Sequence, residues 1–268
     1  MFRFTKMNGA GNDFVLVDNR SGAHKFSPQQ IAFLCDRHRG VGADGVLLVE
    51  VPAGKADFRM RYYNSDGGEA EMCGNGARCF TRFVNKITES FSDICFETRA
   101  GIIHAQTEGE LVTLAMSRPH DLILRRTLDV GGVKLSTHSI DTGVPHVVTF
   151  VDDIESTPVQ HWGTQIRHHP AFQPNGTNAN FIKEIEPGKI AIRTFERGVE
   201  AETLACGTGV TAAGLIYAAL SDAISPVCLL ARGGDWLEVG FQRAETGFEN
   251  VTLKGPAKFV FEGSIEIP

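Results

Sequence analysis

Two cysteines in this chain stand where a thiol could do proton chemistry. Cys73 follows a strand end and a glycine-rich turn, in Asn64-Ser-Asp-Gly-Gly-Glu-Ala-Glu-Met-Cys73, and precedes Gly-Asn-Gly-Ala-Arg-Cys-Phe80, which reads as the opening of a helix. A sulfur at a helix N-terminus sits beside the amides of the first turn and the positive end of the helix dipole, and both favour thiolate over thiol. A lone cysteine is more commonly a small buried hydrophobe. Here the construction is made twice. Thr194-Phe-Glu196-Arg197-Gly-Val-Glu-Ala-Glu-Thr-Leu-Ala leads into Cys206-Gly-Thr-Gly-Val, about half the 268-residue chain further on.

The elements that must position the cysteines repeat as well. Gly9 to Asp18 lies over Gly143 to Asp152, and Gly42 to Glu50 over Gly176 to Glu184, both at an offset of 134. Phe58 to Asn64 lies over Ile190 to Glu196 at 132. Four blocks in one order at nearly one offset make the chain two copies of one domain, each presenting one cysteine.

Composition narrows the class. With 42% hydrophobic and 22% charged residues the chain is a globular protein with an ample core, and a net charge of −6 disfavours a nucleic-acid binder. The opening Met1-Phe-Arg-Phe-Thr-Lys has no apolar signal region, and no apolar run reaches the length of a membrane span. Six cysteines (35, 73, 79, 95, 206 and 228) do not make a disulfide scaffold at this length, so a reduced, cytoplasmic protein is expected.

Along the chain, Phe2 to Lys6 and Asp13 to Asp18 read as paired strands about the turn Gly9 to Asn12, where Asn12 is as well placed to satisfy local backbone as to serve a site. Ser27-Pro-Gln-Gln30 has the form of a capped helix start. Cys35 and His38 on that helix read as packing residues, because no second ligand pair stands near them. Gly40-Val-Gly-Ala-Asp-Gly45 matches a dinucleotide-binding string, but a helix precedes it and a strand follows, which is the wrong order. A helix is expected over 74–86, then three short antiparallel strands from Ile94 to Met116. Arg118 begins a passage to the second half, and His161, His168 and His169 read as solvated loop residues. The helix after Cys206 carries no charge for three turns, so it is expected inside a β shell.

Two such cysteines support three chemistries. A redox pair is usually close in sequence, and a metal site would find only His146 as a further ligand. The third is acid and base on opposite faces of one carbon, the arrangement that inverts a stereocentre reversibly. The amides of Gly74, Asn75, Gly207 and Thr208 would then hold a carboxylate and stabilise the charge formed at its α-carbon. No pyridoxal phosphate lysine is evident, so no cofactor and no metal are expected.

The two cysteine motifs, the Met-x-Gly-x-Gly-Asn12-Asp-Phe opening, Gly-x-Pro-His146 and Gly-Thr-Asn178 resemble the diaminopimelate epimerase family over nearly the whole chain. The resemblance implies an α/β (α+β) fold of two pseudo-symmetric domains, each a β barrel-like shell around a central helix. It places the halves at 1–118 and 119–255, with the C-terminal strand, 256–268, returning to the first. It implies interconversion of LL- and meso-diaminopimelate on the route to lysine and peptidoglycan, in a homodimer without cofactor, nucleic-acid or membrane partner. Cys73 and Cys206 would be acid and base. Gly74, Asn75, Gly207 and Thr208 would hold the reacting carboxylate, and Asn12, Asn64, Asn178 and Arg197 the rest of the substrate. Glu196 would meet the ammonium group and, with His146, tune the thiols. Oxidation would join Cys73 to Cys206 and abolish activity.

The chain departs from the family pattern at Val144, where many members carry Asn, and at Gly45, where some carry Gln. Phe261 stands where a Tyr is linked to dimer formation. The competing readings are a proline racemase-like enzyme of the same fold, disfavoured by Arg197 and the asparagines, and a PhzF-like isomerase or non-catalytic relative, disfavoured by the presence of both cysteines. A thiol-redox or binding protein, which would exchange no substrate proton, is the reading from a different class.

Overall fold

The computed structural model describes residues 1–89 and 92–268, which form two compact units: Met1–Leu114 with Gly255–Pro268, and Ala115–Lys254. The first contains β1 (Phe2–Gly9), β2 (Asn12–Asp18), α1 (Pro28–Cys35), β3 (Gly45–Glu50), β4 (Phe58–Asn64), β5 (Glu69–Ala70), α2 (Gly74–Thr88), β6 (Asp93–Thr98), β7 (Gly101–Glu108) and β8 (Leu111–Ala115). The second contains β9 (His120–Val130), β10 (Val133–Asp141), β11 (Pro145–Phe150), α3 (Val159–Arg167), β12 (Asn178–Glu186), β13 (Lys189–Glu196), β14 (Ala201–Thr203), α4 (Gly207–Ser221), β15 (Val227–Leu230), β16 (Trp236–Arg243) and most of β17 (Phe248–Pro256). The last strand, β18 (Lys258–Ile265), pairs with β1.

The pairing order shows the duplication directly. In the first unit the neighbours run β18, β1, β2, β3, β4, β6, β7, β8; all pairs are antiparallel except β2–β3 and β4–β6. In the second they run β9, β10, β11, β12, β13, β15, β16, β17, with β11–β12 and β13–β15 parallel. A parallel pair needs a crossover, and each of the four crossovers holds a helix. Both cysteines therefore stand at the same topological point, where the second crossover of each unit enters its helix.

Local chemistry explains the elements. Ser27 caps α1 reciprocally with Gln30, at 3.2 and 3.0 Å. The helix α2 packs against β1, β2, β3, β4 and β7. The helix α4 packs against β10, β11, β12, β13, β15 and β16, and is buried from Val210 to Ala218. Its apolar surface all round matches a position with strands on every side. Gly214 brings it close to β16: a Cβ there would stand 2.9 Å from Val239 Cβ.

The passage after Arg118 differs from the sequence expectation. It holds the long hairpin β9–β10, closed by Gly131 and Gly132 at φ 62° and 85°, the signature of a two-residue primed turn. Most of β9 faces solvent, so its hydrophobic alternation is weak. His161 is also not in a loop. It lies within α3, with His168 at the C-cap and His169 capping a short 3-10 turn, Pro170–Phe172. The flanking prolines, Pro158 and Pro170, begin these helical segments rather than marking a loop.

Candidate active site

Cys73 is the N-cap of α2, in extended backbone at φ −139° and ψ 122°. The first intrahelical bond is Ala77 N to Cys73 O, 2.7 Å. The amides of the intervening turn, which includes Gly74 and Asn75, therefore point along the positive end of the helix dipole. Two residues after the cysteine, the buried Asn75 donates through Nδ2 to Asn12 Oδ1 at 2.6 Å and accepts through Oδ1 from Arg78 Nη2 at 2.8 Å. Asn12 in turn donates to Asp44 Oδ2 at 2.8 Å.

This chain of side chains has one possible polarity. Arg78 is donors only, so the Asn75 oxygen must face it, and each amide further along is fixed in turn. Asn12 thus does not serve its own turn, one of the two roles its position allowed. Asn8 does, accepting from Gly11 N at 3.1 Å. Beyond Asp44 the network passes to Arg37, which bonds Asp44 and forks onto Asp13 at 2.8 and 2.9 Å. Burial pushes the Asp13 carboxyl up, but hydrogen bonds from Arg37 and Lys6 outweigh it and hold the group at about 2. Asn64 ends β4 at the entrance to the Cys73 turn, with its side chain exposed. At Gly45 a Cβ would stand 2.5 Å from Tyr63 O, so no side chain fits there without moving β4.

Cys206 repeats the N-cap in α4, at φ −116° and ψ 111°, with Val210 N bonded to Cys206 O at 2.8 Å. Its sulfur lies 3.5 Å from Thr208 Oγ1 and hydrogen-bonds the Glu196 carboxyl. Glu196 also accepts from Thr203 Oγ1 at 3.0 Å. Burial raises the Glu196 carboxyl above its ordinary range, and those two hydrogen bonds only partly reverse it. A carboxyl whose proton affinity is raised by burial, bonded directly to a thiol, is placed to influence that thiol's own ionisation. Arg197 follows at the end of β13: Asn178 Oδ1 accepts from its backbone N at 2.8 Å, and its guanidinium donates to Asn175 O at 3.1 Å.

His146, fully buried, faces Asn180 Nδ2 through Nδ1 at 3.2 Å. Burial first, and the nearby Arg197 charge second, push its imidazolium down to about 3, so the ring is neutral. The structure therefore gathers Cys206, Thr208, Glu196, Arg197, Asn178 and His146 within one unit, and Cys73, Asn75 and Asn12 within the other.

Sequence reasoning passed over Arg78, Asp44, Asn180 and Thr194. One signal was available: Asn178 and Asn180 are two apart in a strand and so share a face. Another was Arg78, a charge one position before Cys79 and Phe80 in an otherwise inward-facing stretch. Cys35 is a buried thiol pushed up to about 12 by its surroundings, consistent with packing. Among the described residues no group of three or more His, Cys, Asp or Glu stands ready to hold a metal, and no helix is long and apolar enough to cross a membrane.

Comparison with known proteins adds the lineage. The family described as Diaminopimelate epimerase matches residues 4–120 and 138–260. The Diaminopimelate epimerase of Chlorobaculum tepidum is 40% identical over 265 residues, covering 97% of this chain and 100% of the relative. That of Aromatoleum aromaticum is 42% identical over 281 residues, covering 99% of each. Among solved structures, a PhzF family phenazine biosynthesis protein from Bacillus anthracis superposes with TM-score 0.72 at 16% identity, over 99% of both chains. A probable proline racemase from Agrobacterium radiobacter K84 gives 0.72 at 16%, over 100% of this chain and 94% of that one. The structural neighbours share the two-domain α/β fold, and the sequence relatives carry the specific kinship: the chain belongs to the diaminopimelate epimerase family.

Proposed function

We propose that this protein interconverts LL- and meso-2,6-diaminopimelate without a cofactor, in the formation of lysine and peptidoglycan precursors. One thiolate removes the α-proton and the other thiol delivers a proton to the opposite face; the roles exchange with direction, which makes the reaction reversible. The observation that carries this reading is the duplicated N-cap: each unit places a cysteine at the positive end of a 15-residue helix. The same helix ends supply Gly74, Asn75, Gly207 and Thr208 to the reacting carboxylate, where backbone amides stabilise charge delocalised from the α-carbon. Arg197 forks onto the distal carboxylate, with Asn12, Asn64 and Asn178 completing that end. Glu196 meets the ammonium group and, with His146, tunes the thiols.

Among the described residues no disulfide joins the cysteines, which supports a reducing cytoplasm, and the exposed Val260 and Phe261 on β18 support a homodimer. The decisive experiment follows LL-diaminopimelate by proton NMR in D₂O with reduced protein. Loss of the α-proton signal with growth of the meso form is expected. Cys73→Ala and Cys206→Ala should each lower the rate by at least about 100-fold. Exchange into proline instead would keep the two-base chemistry and change the substrate. No exchange into any amino acid would refute the catalytic reading.

A further inference from the structure

Asn180 lies under the first turn of α4. A Cβ at Gly209 would stand 2.4 Å from Asn180 Oδ1 and 3.4 Å from Cys206 Sγ, so the amide and the sulfur flank the same glycine. The amide is buried, and each of its bonds has one sense only. Nδ2 lies 2.9 Å from Val147 O, a pure acceptor, so nitrogen and not oxygen must face that carbonyl. Oδ1 accepts from Thr194 Oγ1 at 2.9 Å. The second Nδ2 hydrogen then points at His146 Nδ1, 3.2 Å away, and a nitrogen that accepts there carries no proton. A neutral imidazole with a bare Nδ1 has its proton on Nε2. That Nε2 is buried and finds no hydrogen-bond partner among the described residues. An unsatisfied buried donor costs about 1–3 kcal/mol, a cost met when an acceptor arrives.

We infer that Asn180 is a positioning residue for the proposed reaction: it fixes His146 as the Nε2–H tautomer, a neutral hydrogen-bond donor to an anion formed or bound at the α4 end. The inference rests on the epimerase reading for its consequence but not for the tautomer itself. The surroundings agree. Opposite His146 in the strand ladder stand Ile140 of β10 and Asn178 of β12, both uncharged. The opening turn of α4, Gly207 to Val210, carries no charge either. The charged side chain that acts on the ring is Arg197, which disfavours a second positive charge there. A neutral donor can steady an anion without competing with the thiols for the proton, which a histidine titrating near pH 7 would do.

The test uses the full-length protein carrying ¹⁵N-histidine, with His146→Gln to assign its signals. Two-bond ¹⁵N–¹H spectra should show a pyrrole-type Nε2 and a pyridine-type Nδ1, unchanged from pH 8 to 5. A proton on Nδ1, or a ring that titrates in that range, would overturn the inference without reference to any substrate. Asn180→Asp puts an acceptor-only carboxylate against Nδ1. It should move the proton to Nδ1, bring titration of the ring into the measured range, and lower kcat at least about tenfold with KM changed less than about twofold. Thr194→Val leaves the amide in place but removes its anchor, and should give a smaller loss in the same direction. A wild-type tautomer as expected, with full turnover in Asn180→Asp, would also sink the assignment.

Discussion

Five residues after its cysteine, α2 carries Arg78 and α4 carries Thr211, and the two helices are supported accordingly. Arg78 is wholly buried and donates to Gly9 O and Pro256 O, each at 3.3 Å, and to Asn75 Oδ1. Through Asn75 and Asn12 it connects to Asp44 and the ion pairs of Lys6, Asp13 and Arg37. Thr211 only returns a hydrogen bond to Gly207 O within its own helix, at 3.0 Å. The second unit instead uses close packing and a neutral, buried set of His146, Asn180 and Thr194. One strand order and one N-cap are thus held by a charged network in one copy and an uncharged one in the other. The shared part is what any such helix end requires.

The largest expected effect breaks the charged network. Arg78→Met leaves two carbonyls and the Asn75 oxygen in the interior without their donor, and removing one member of a buried charged set costs about 3–5 kcal/mol. Thr211→Val, which loses one hydroxyl bond, should cost about 1 kcal/mol. Urea unfolding of the two variants measures the difference. Equal losses would mean that the first unit does not depend on its guanidinium.

A second pair compares the glycine three places after each cysteine. At Gly209 a Cβ would strike Asn180 Oδ1, so Gly209→Ala must displace either the amide or the helix, at about 1–3 kcal/mol. At Gly76 the nearest atoms, from Leu47 and Phe14, are 3.5 Å away, an ordinary contact. Gly76→Ala should therefore be neutral or stabilise by up to about 1 kcal/mol through helix propensity. Turnover should drop at least about tenfold in Gly209→Ala and little in Gly76→Ala. The reverse order would place the tight approach in the wrong unit.

This contrast also shows how far the sequence can be read. The cysteines, their helices and the twofold repeat were legible because backbone demands leave marks: Cys-Gly-x-Gly at both helix starts, strands of matching length, a capping box at Ser27. The uncharged length of α4 announced its burial. The supports left weaker marks, because a hydrogen-bond partner is chosen in space. Asn12 reaches Asp44 across 32 positions and Asn75 across 63, and nothing in the turn Gly9 to Asn12 distinguishes that from a local bond. The strand β9 was missed because its exposed face dilutes the alternation, although Gly131-Gly132 marks its hairpin.

The smallest expected effect separates the units by acid. In the second unit, burial and then Arg197 hold His146 at about 3, and burial and then Arg125 hold His138 below its ordinary range. A histidine whose folded pKa is depressed contributes full stability above its unfolded value, near 6.5, and loses it as pH falls towards the folded value. Each such group contributes a slope of at most about 1.4 kcal/mol per pH unit. Glu196 works in the opposite sense: its folded pKa is raised above 4.5, so its protonation favours the fold as pH drops towards that value. The histidine loss begins below pH 6.5, and the protonation of Glu196 offsets part of it. In the first unit Asp13, at about 2 against 3.8, stabilises above pH 3.8 and fails only below it. Hydrogen exchange, corrected for intrinsic rates, should show protection falling in β11 and β12 between pH 6.5 and 5 while β2 and β3 hold. His146→Gln should flatten the response of the second unit, because its side chain takes no proton in either state. Equal loss in both units, or a response unchanged in that variant, would show that the buried imidazole does not set the acid sensitivity of its half.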